Sequence, residues 1–211
     1  MPIPIKGLIF DYGNVLCRPQ EASDVVAMAA VLQVPPDQFA PAYWRPRLKY
    51  DEALLDAGSY WQTIASDLNR AISPADIAEL TRLDDESWSR PDPCMMDFAK
   101  RLRDAGVRTA ILSNMPLSLR CYLTDSATWL PEFDHMTFSC DVKMVKPGEG
   151  IYHHCIWGLG TVAGETLFLD DRDENVETAQ RVGLHSFVFT TPSAAKQILE
   201  EKFALPAVIE C

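Results

Sequence analysis

Short apolar runs that stop abruptly at a polar residue are the feature that most limits how this chain can fold. Residues 5–10 (IKGLIF) end at Asp11-Tyr12-Gly13-Asn14, residues 108–112 (RTAIL) at Ser113-Asn114, residues 166–169 (TLFL) at Asp170-Asp171, and residues 186–189 (SFVF) at Thr190. Runs this short and apolar read as buried strands followed by tight loops. Helical patterns stand between them: residues 95–105 close on Gly106 and residues 174–182 on Gly183, each glycine a helix stop. Such alternation implies parallel strands joined by right-handed crossovers, with ligands bound beyond the carboxyl ends of the strands. Asp11, Ser113 and Asp170/Asp171 would then meet at one rim although they are distant in sequence.

The rhythm breaks between residues 17 and 93, where helical stretches are predicted over 21–32, 50–57 and 60–68, with another opened by Ser73 as cap and Pro74 at its first position. Residues 90–93 (RPDP) read as a linker returning to the sheet. The expected organisation is a core of residues 1–16 and 94–211, with a helical subdomain of residues 17–93 inserted after the first strand and hinged over the proposed site.

Charge and cysteine usage narrow the function classes. Thirty acidic against nineteen basic residues give a net charge of −11, which opposes long-range attraction to nucleic acid or anionic lipid. A local site for a small anion remains compatible, because salt screens distant charges beyond roughly 10 Å. No run approaches the roughly 20 apolar residues of a membrane-spanning helix, and no leader pattern opens the chain, so a cytoplasmic protein is expected. The six cysteines stand singly, without metal-type spacing, and read as thiols in a reducing compartment rather than a disulfide framework.

Asp11, with Gly13 and Asn14 behind it, would display a carboxylate in a tight loop whose backbone N–H groups converge on one spot, a nest suited to an anion. A carboxylate so placed can coordinate a hard cation or attack phosphorus, splitting a difficult hydrolysis into two easier steps. Asp170 and Asp171 repel each other unless a cation or donors offset them, and magnesium, which takes hard oxygen ligands, fits that need. Ser113-Asn114 offer a hydroxyl and an amide to an oxyanion, and Lys146-Pro147 an ammonium on a stiffened backbone. Each has a plain structural alternative as a turn, a helix cap or surface charge; their order along the chain is more specific than any one of them.

In that order, residues 8–15 (LIFDYGNV), 110–114 (AILSN), Lys146-Pro147-Gly148 and residues 168–175 (FLDDRDEN) resemble the haloacid dehalogenase-like hydrolase superfamily over nearly the whole chain. The DxGNV first motif is similar to that of its sugar-phosphate phosphatases and of the phosphatase domain joined to epoxide hydrolases. The resemblance implies an α/β fold, a Rossmann-like parallel sheet core with an inserted helical cap subdomain, and a magnesium-dependent phosphatase for a small phosphorylated metabolite such as a sugar phosphate. It makes Asp11 the nucleophile and a metal ligand, the Gly13 carbonyl and Asp171 further ligands, and Asp170 a ligand or its neighbour. Ser113 and the N–H of Asn114 would hold the phosphoryl group beside Asn14, Lys146 would offset its charge, and Asn175 would orient the Asp170-Asp171 loop or the lysine.

One position departs from the family pattern. Its phosphatases usually carry a second aspartate two residues after the nucleophile as general acid and base; here that residue is Gly13. General acid–base help is typically worth ~10²–10⁴-fold. The departure keeps two alternatives open: a metal-independent 2-haloacid dehalogenase-type hydrolase, and a phosphometabolite-binding protein with impaired catalysis. Among the other groups, Arg45 and Arg47 are expected to contact substrate from the helical insert, Trp61 to pack within it, and His153-His154-Cys155 to lie on an amphipathic helix without metal-ligand spacing.

Overall fold

The structure, a computed structural model, describes residues 2–211. The chain begins with β1 (Ile3–Pro4) and β2 (Gly7–Phe10), then runs through five helices, α1 (Ala22–Val31), α2 (Pro36–Trp44), α3 (Arg47–Asp51), α4 (Ala57–Asp67) and α5 (Pro74–Ser87). It returns through α6 (Pro93–Asp104) to β3 (Arg108–Ser113), α7 (Leu117–Ser126), β4 (His135–Phe138), the short α8 (Ser139–Val142) and α9 (Glu149–Leu159). The last part comprises β5 (Thr166–Asp170), α10 (Asp173–Arg181), β6 (His185–Val188), α11 (Pro192–Lys202) and β7 (Phe203–Ala204), which pairs with β1.

Five strands form one parallel sheet in the order β4-β3-β2-β5-β6. β2, the central strand, is buried at all four residues, as a parallel strand covered by helices on both faces must be. Chain order reverses across β2, with β3 on one side and β5 on the other, so their carboxyl ends open a crevice there. The apolar cores lie on the two faces: Phe10, Phe98, Ile111 and Phe133 on one, Ile9, Tyr152, Phe168 and Leu184 on the other. This is the parallel α/β sheet that the strand and helix pattern implied and the Rossmann-like core that the family resemblance implied.

Helices α1–α5 enclose a separate core that includes Met28, Phe39, Tyr43, Tyr60, Trp61 and Leu80. Local chemistry explains their ends. Ser73 caps α5 by accepting the Asp76 N–H at 3.2 Å, with Pro74 at the first helical position. The stretch 50–57, read from sequence as one helix, is instead the end of α3 and a turn. Ala53 takes φ 54°, and the Asp56 side chain accepts the Ser59 N–H at 2.7 Å to start α4. Gly106 and Gly183, at φ 85° and 90°, end α6 and α10 as predicted.

Other elements were not read from the sequence. β4 is a half-apolar edge strand, and α2 carries Pro41 within it. The cysteine expectation is corrected for one pair: Cys94, at the start of α6, is disulfide-bonded to Cys211, 117 residues later. The tail after β7 brings them together, which no local spacing could signal, and the pair removes the ground for inferring a reducing compartment. No helix among the described residues is long and apolar enough to cross a membrane.

Candidate active site

The carboxyl ends of β2, β3 and β5 open into a cavity of about 560 Å³. Asp11, Gly13, Asn14, Ser113, Asn114, Lys146 and Asp171 all line it. β2 delivers Asp11, whose N–H donates to the Leu169 carbonyl of β5 at 2.8 Å, so the strand pairing carries on to the residue itself. Asp11 Oδ1 accepts the Tyr12 N–H and the Lys146 Nζ, both at 2.7 Å. No donor among the described residues is bonded to Oδ2, the oxygen left for the cavity.

Lys146 is buried between two carboxylates, Asp11 and Asp170, the latter at 2.6 Å. Its place is set by Asn114, whose side chain donates to the Lys146 carbonyl and accepts the Lys146 N–H, each at 2.9 Å. The Asn114 side chain is therefore a clamp on the lysine loop, a task that the Ser-Asn pairing in sequence did not reveal. Asp170 is fully buried and its oxygens are shared among Lys146, the Arg172 N–H and the Asn175 side chain. Asp171 points toward the cavity and accepts Asn14 Nδ2 at 2.7 Å; Asn14 reaches it from φ 60°, a left-handed conformation that asparagine tolerates.

Asp11, Asp170 and Asp171 each present an oxygen within 4.8 Å of the others. Burial pushes the Asp11 carboxyl up to about 7, against the pull of Lys146 and aided by Asp170. Asp171 is also raised, chiefly by burial, with Asn14 acting the other way. Burial disfavours the Lys146 ammonium, but the flanking carboxylates outweigh it and hold its pKa above the usual lysine value. Three carboxylates against one ammonium leave two surplus negative charges when all are ionised. Hard oxygens with that surplus fit a divalent cation of the magnesium type.

The apolar part of the lining comes partly from the helical insert, as Trp44, Leu48 and Trp88, and partly from the sheet side, as Met115 and Leu119. Arg47 also lines it, but its guanidinium is engaged by Asp51 at 2.8 Å, Asp84 at 3.0 Å and the Tyr43 hydroxyl. Arg45 is corrected: it turns outward to Asp67, is largely exposed and does not line the cavity. Two residues apart, Arg45 closes α2 toward water while Arg47 opens α3 at the cavity, the chain turning at Pro46 between them. Trp61 is fully buried in the helical core, and His154 meets Thr137 and His135 away from the cavity. Sequence reading missed Asp51 and Trp88, whose places depend on contacts between helices far apart in sequence.

An aspartate at the end of the central strand, a buried lysine and an acidic pair thus meet at the switch point of a Rossmann-like parallel sheet. A model of haloacid dehalogenase-like hydrolases matches residues 5–183, and the chain belongs to that family. A sesquiterpene phosphatase of Aspergillus oryzae is 34% identical over 45% of this chain and 48% of its own length. The chain spans between about a fifth and a half of the length of the curated relatives it matches. A HAD family enzyme of Bacteroides thetaiotaomicron, solved with magnesium and inorganic phosphate, superposes with a TM-score of 0.72 at 20% identity, covering 88% of this chain and 94% of that one. The L-2-haloacid dehalogenase of Xanthobacter autotrophicus gives 0.69 at 19% identity, covering 95% and 84%.

Proposed function

We propose that the chain is a magnesium-dependent phosphatase acting on a small phosphorylated metabolite through an aspartyl phosphate on Asp11. The observation that carries this reading is the Asp11 carboxylate: Oδ1 is tied to Lys146 and the Tyr12 N–H, while Oδ2 has no bonded donor among the described residues and lies in a cavity shared with Ser113, Asn114 and Asp171. A tethered, half-satisfied carboxylate is oriented for attack by its free oxygen.

In this reading Asp11 and Asp171, with the Gly13 carbonyl, would hold magnesium, and a bound divalent ion would neutralise phosphoryl oxygens. Asp170 acts behind them, since its oxygens are committed to Lys146, Asn175 and the Arg172 N–H. Ser113 and the Asn114 N–H receive the phosphoryl group, with Asn14 fixing the loop, and Lys146 offsets charge on the nucleophile. Residues 17–93 serve as the cap, and Arg47 fixes its inner face. The apolar wall favours an ester whose organic part has an apolar surface over a bare polyol, and the phosphatase relatives are consistent with a phosphate ester.

The test is hydrolysis of phosphate monoesters with and without magnesium, alongside Asp11→Asn. Parent activity should depend on magnesium, and the variant should lose about 10⁴-fold or more, the scale on which removing a covalent nucleophile acts. A variant as active as the parent would end the nucleophile assignment. The second reading, dehalogenation, is favoured by Gly13 and the dehalogenase neighbour; chelator-resistant release of halide from a 2-haloacid would select it.

A further inference from the structure

Gly13 leaves the phosphatase reading without a proton donor for the leaving group, and the space beside it does not supply one. A Cβ built at Gly13 would meet the Trp88 ring at 3.5 Å, and the Trp88 indole N–H already donates to the Tyr43 hydroxyl at 3.2 Å. Of the other carboxylates lining the cavity, Asp171 belongs to the proposed metal site. Glu174 is half exposed at the rim and paired with Arg172 at 2.5 Å. One more remains, on the insert side: Asp51.

Resting on the phosphatase reading, we propose that Asp51, on cap helix α3, is the general acid and base that replaces the aspartate absent at position 13. Its placement is secured from the core. Ser139 Oγ donates to the Asp51 carbonyl at 2.6 Å and accepts the Met115 N–H at 3.0 Å, so a single hydroxyl ties Asp51 to the loop that begins with Ser113 and Asn114. The carboxylate is held at Oδ1 by Arg47 Nε at 2.8 Å, while no donor among the described residues is bonded to Oδ2. Oδ2 is also absent from the sealed polar atoms that lack a partner, and a tenth of the side chain is accessible, which opens it on the cavity that Asp51 lines.

Charge counting supplies the proton. Arg47 is the single cation between Asp51 and Asp84, so the buried cluster carries one surplus negative charge when both are ionised. Asp84 is sealed and accepts from both Arg47 and the Tyr43 hydroxyl, the latter at 2.5 Å, whereas Asp51 has one bonded donor and access to the cavity. The proton therefore belongs on Asp51. Burial raises its carboxyl above the ordinary range, Arg47 opposes this, Asp84 adds to it and Lys146 lowers it. The groups around it on neighbouring elements are Tyr43 on α2, Tyr60 on α4, Asp84 on α5 and Lys146, with Asp85 on α5 next to Asp84 and turned to Ser118; on α8, Asp141 is turned to Arg120 and Cys140 is buried.

The proton balance closes over two steps. As Asp11 Oδ2 bonds to phosphorus and the ester P–O bond breaks, Asp51 gives its proton to the departing oxygen, releasing an alcohol and leaving Asp51 ionised. Water then attacks phosphorus of the aspartyl phosphate, Asp51 takes the water proton, the Asp11–phosphorus bond breaks, and phosphate leaves with Asp51 protonated again.

The experiment compares kcat/KM and kcat of Asp51→Asn on p-nitrophenyl phosphate, whose leaving group needs no proton, and on hexyl phosphate, whose leaving group does. On hexyl phosphate kcat/KM should fall by ~10²–10⁴-fold. On p-nitrophenyl phosphate kcat/KM should hold while kcat falls, with a nitrophenolate burst of one equivalent and a phosphorylated chain visible by intact mass. Equal losses of kcat/KM on both esters would overturn the Asp51 assignment alone; a parent inert toward both would overturn the phosphatase reading with it. Should Asn at 51 unfold the chain, Asp84→Asn asks the same question. Removing that neighbouring charge should move the upper pH limb of kcat/KM on hexyl phosphate to lower pH, and an unmoved limb overturns the proposal.

Discussion

Two buried charge clusters border the cavity, one at the carboxyl ends of the central strands and one in the helical insert. Each sets a single cation between two carboxylates: Lys146 between Asp11 and Asp170, Arg47 between Asp51 and Asp84. In each, one carboxylate lines the cavity and the other is sealed. They differ in the cation and in what lies beyond it. Lysine is a compact charge that leaves its partners room to rearrange, whereas the planar guanidinium locks Asp84 through both oxygens. A third carboxylate, Asp171, joins the sheet cluster at the cavity, whereas the further aspartate beside the insert cluster, Asp85, is turned away to Ser118 and does not line the cavity. A surplus of two negative charges suits a divalent ion; a surplus of one suits a proton. The same local design, differing by one aspartate at the cavity, would thus serve metal binding in one cluster and proton transfer in the other.

Replacing each cation separates the two most sharply. Lys146→Met should reduce kcat on the order of 10²–10³-fold, as loss of a charge-stabilising group at the reacting centre does. Arg47→Met should instead cost the fold about 3–5 kcal/mol, because two buried carboxylates lose their partner. Steady-state kinetics and urea unfolding of both variants check this; parent-like kcat for the first, or a parent-like midpoint for the second, would break the comparison.

A smaller effect distinguishes the insert's contact with the core. Asp85 is buried where α5 meets α7, accepting from Ser118 at 2.9 Å, and burial pushes its carboxyl up to about 7. Between about 3.8 and about 7 the folded chain holds this proton and the unfolded chain does not, so the group's contribution to stability falls as pH rises through that window. Asp85→Asn removes the dependence. Its urea midpoint should gain on the parent progressively across the window and by a constant amount above it; a gain that does not vary with pH would show that Asp85 does not titrate there. The smallest effect belongs to Arg45→Ala. An exposed pair with Asp67 contributes at most about 1 kcal/mol, so stability should change little and KM not at all. A raised KM would return Arg45 to the substrate.

Legibility in the sequence followed burial. β2, β3 and β5 are continuous apolar runs because both faces are covered, and each ends where the cavity begins, so Asp11, Ser113 and Asp170-Asp171 stood out by position. β4 was missed because an edge strand carries His135 and Thr137 among its four residues and loses the apolar signature. The break at Ala53 was missed because a left-handed alanine has no local mark in the sequence. Asn114 was singled out as a phosphoryl contact, yet its side chain also clamps the Lys146 backbone, a partner 32 residues away. Arg47 was expected to meet substrate and Asp51 was not singled out; the pair four residues apart becomes a buried cluster only through Asp84, 37 residues from Arg47.

By itself the sequence determined the parallel sheet, the interruption by helices and the order of polar residues at the strand ends, because these depend on local periodicity and on where apolar runs stop. The tertiary structure decided which of two neighbouring arginines meets the cavity, which cysteines bond, and which aspartate of the helical insert lines the cavity with Asp11. Those outcomes rest on contacts between segments far apart in the chain, where burial and charge balance are set by the partner and not by the residue.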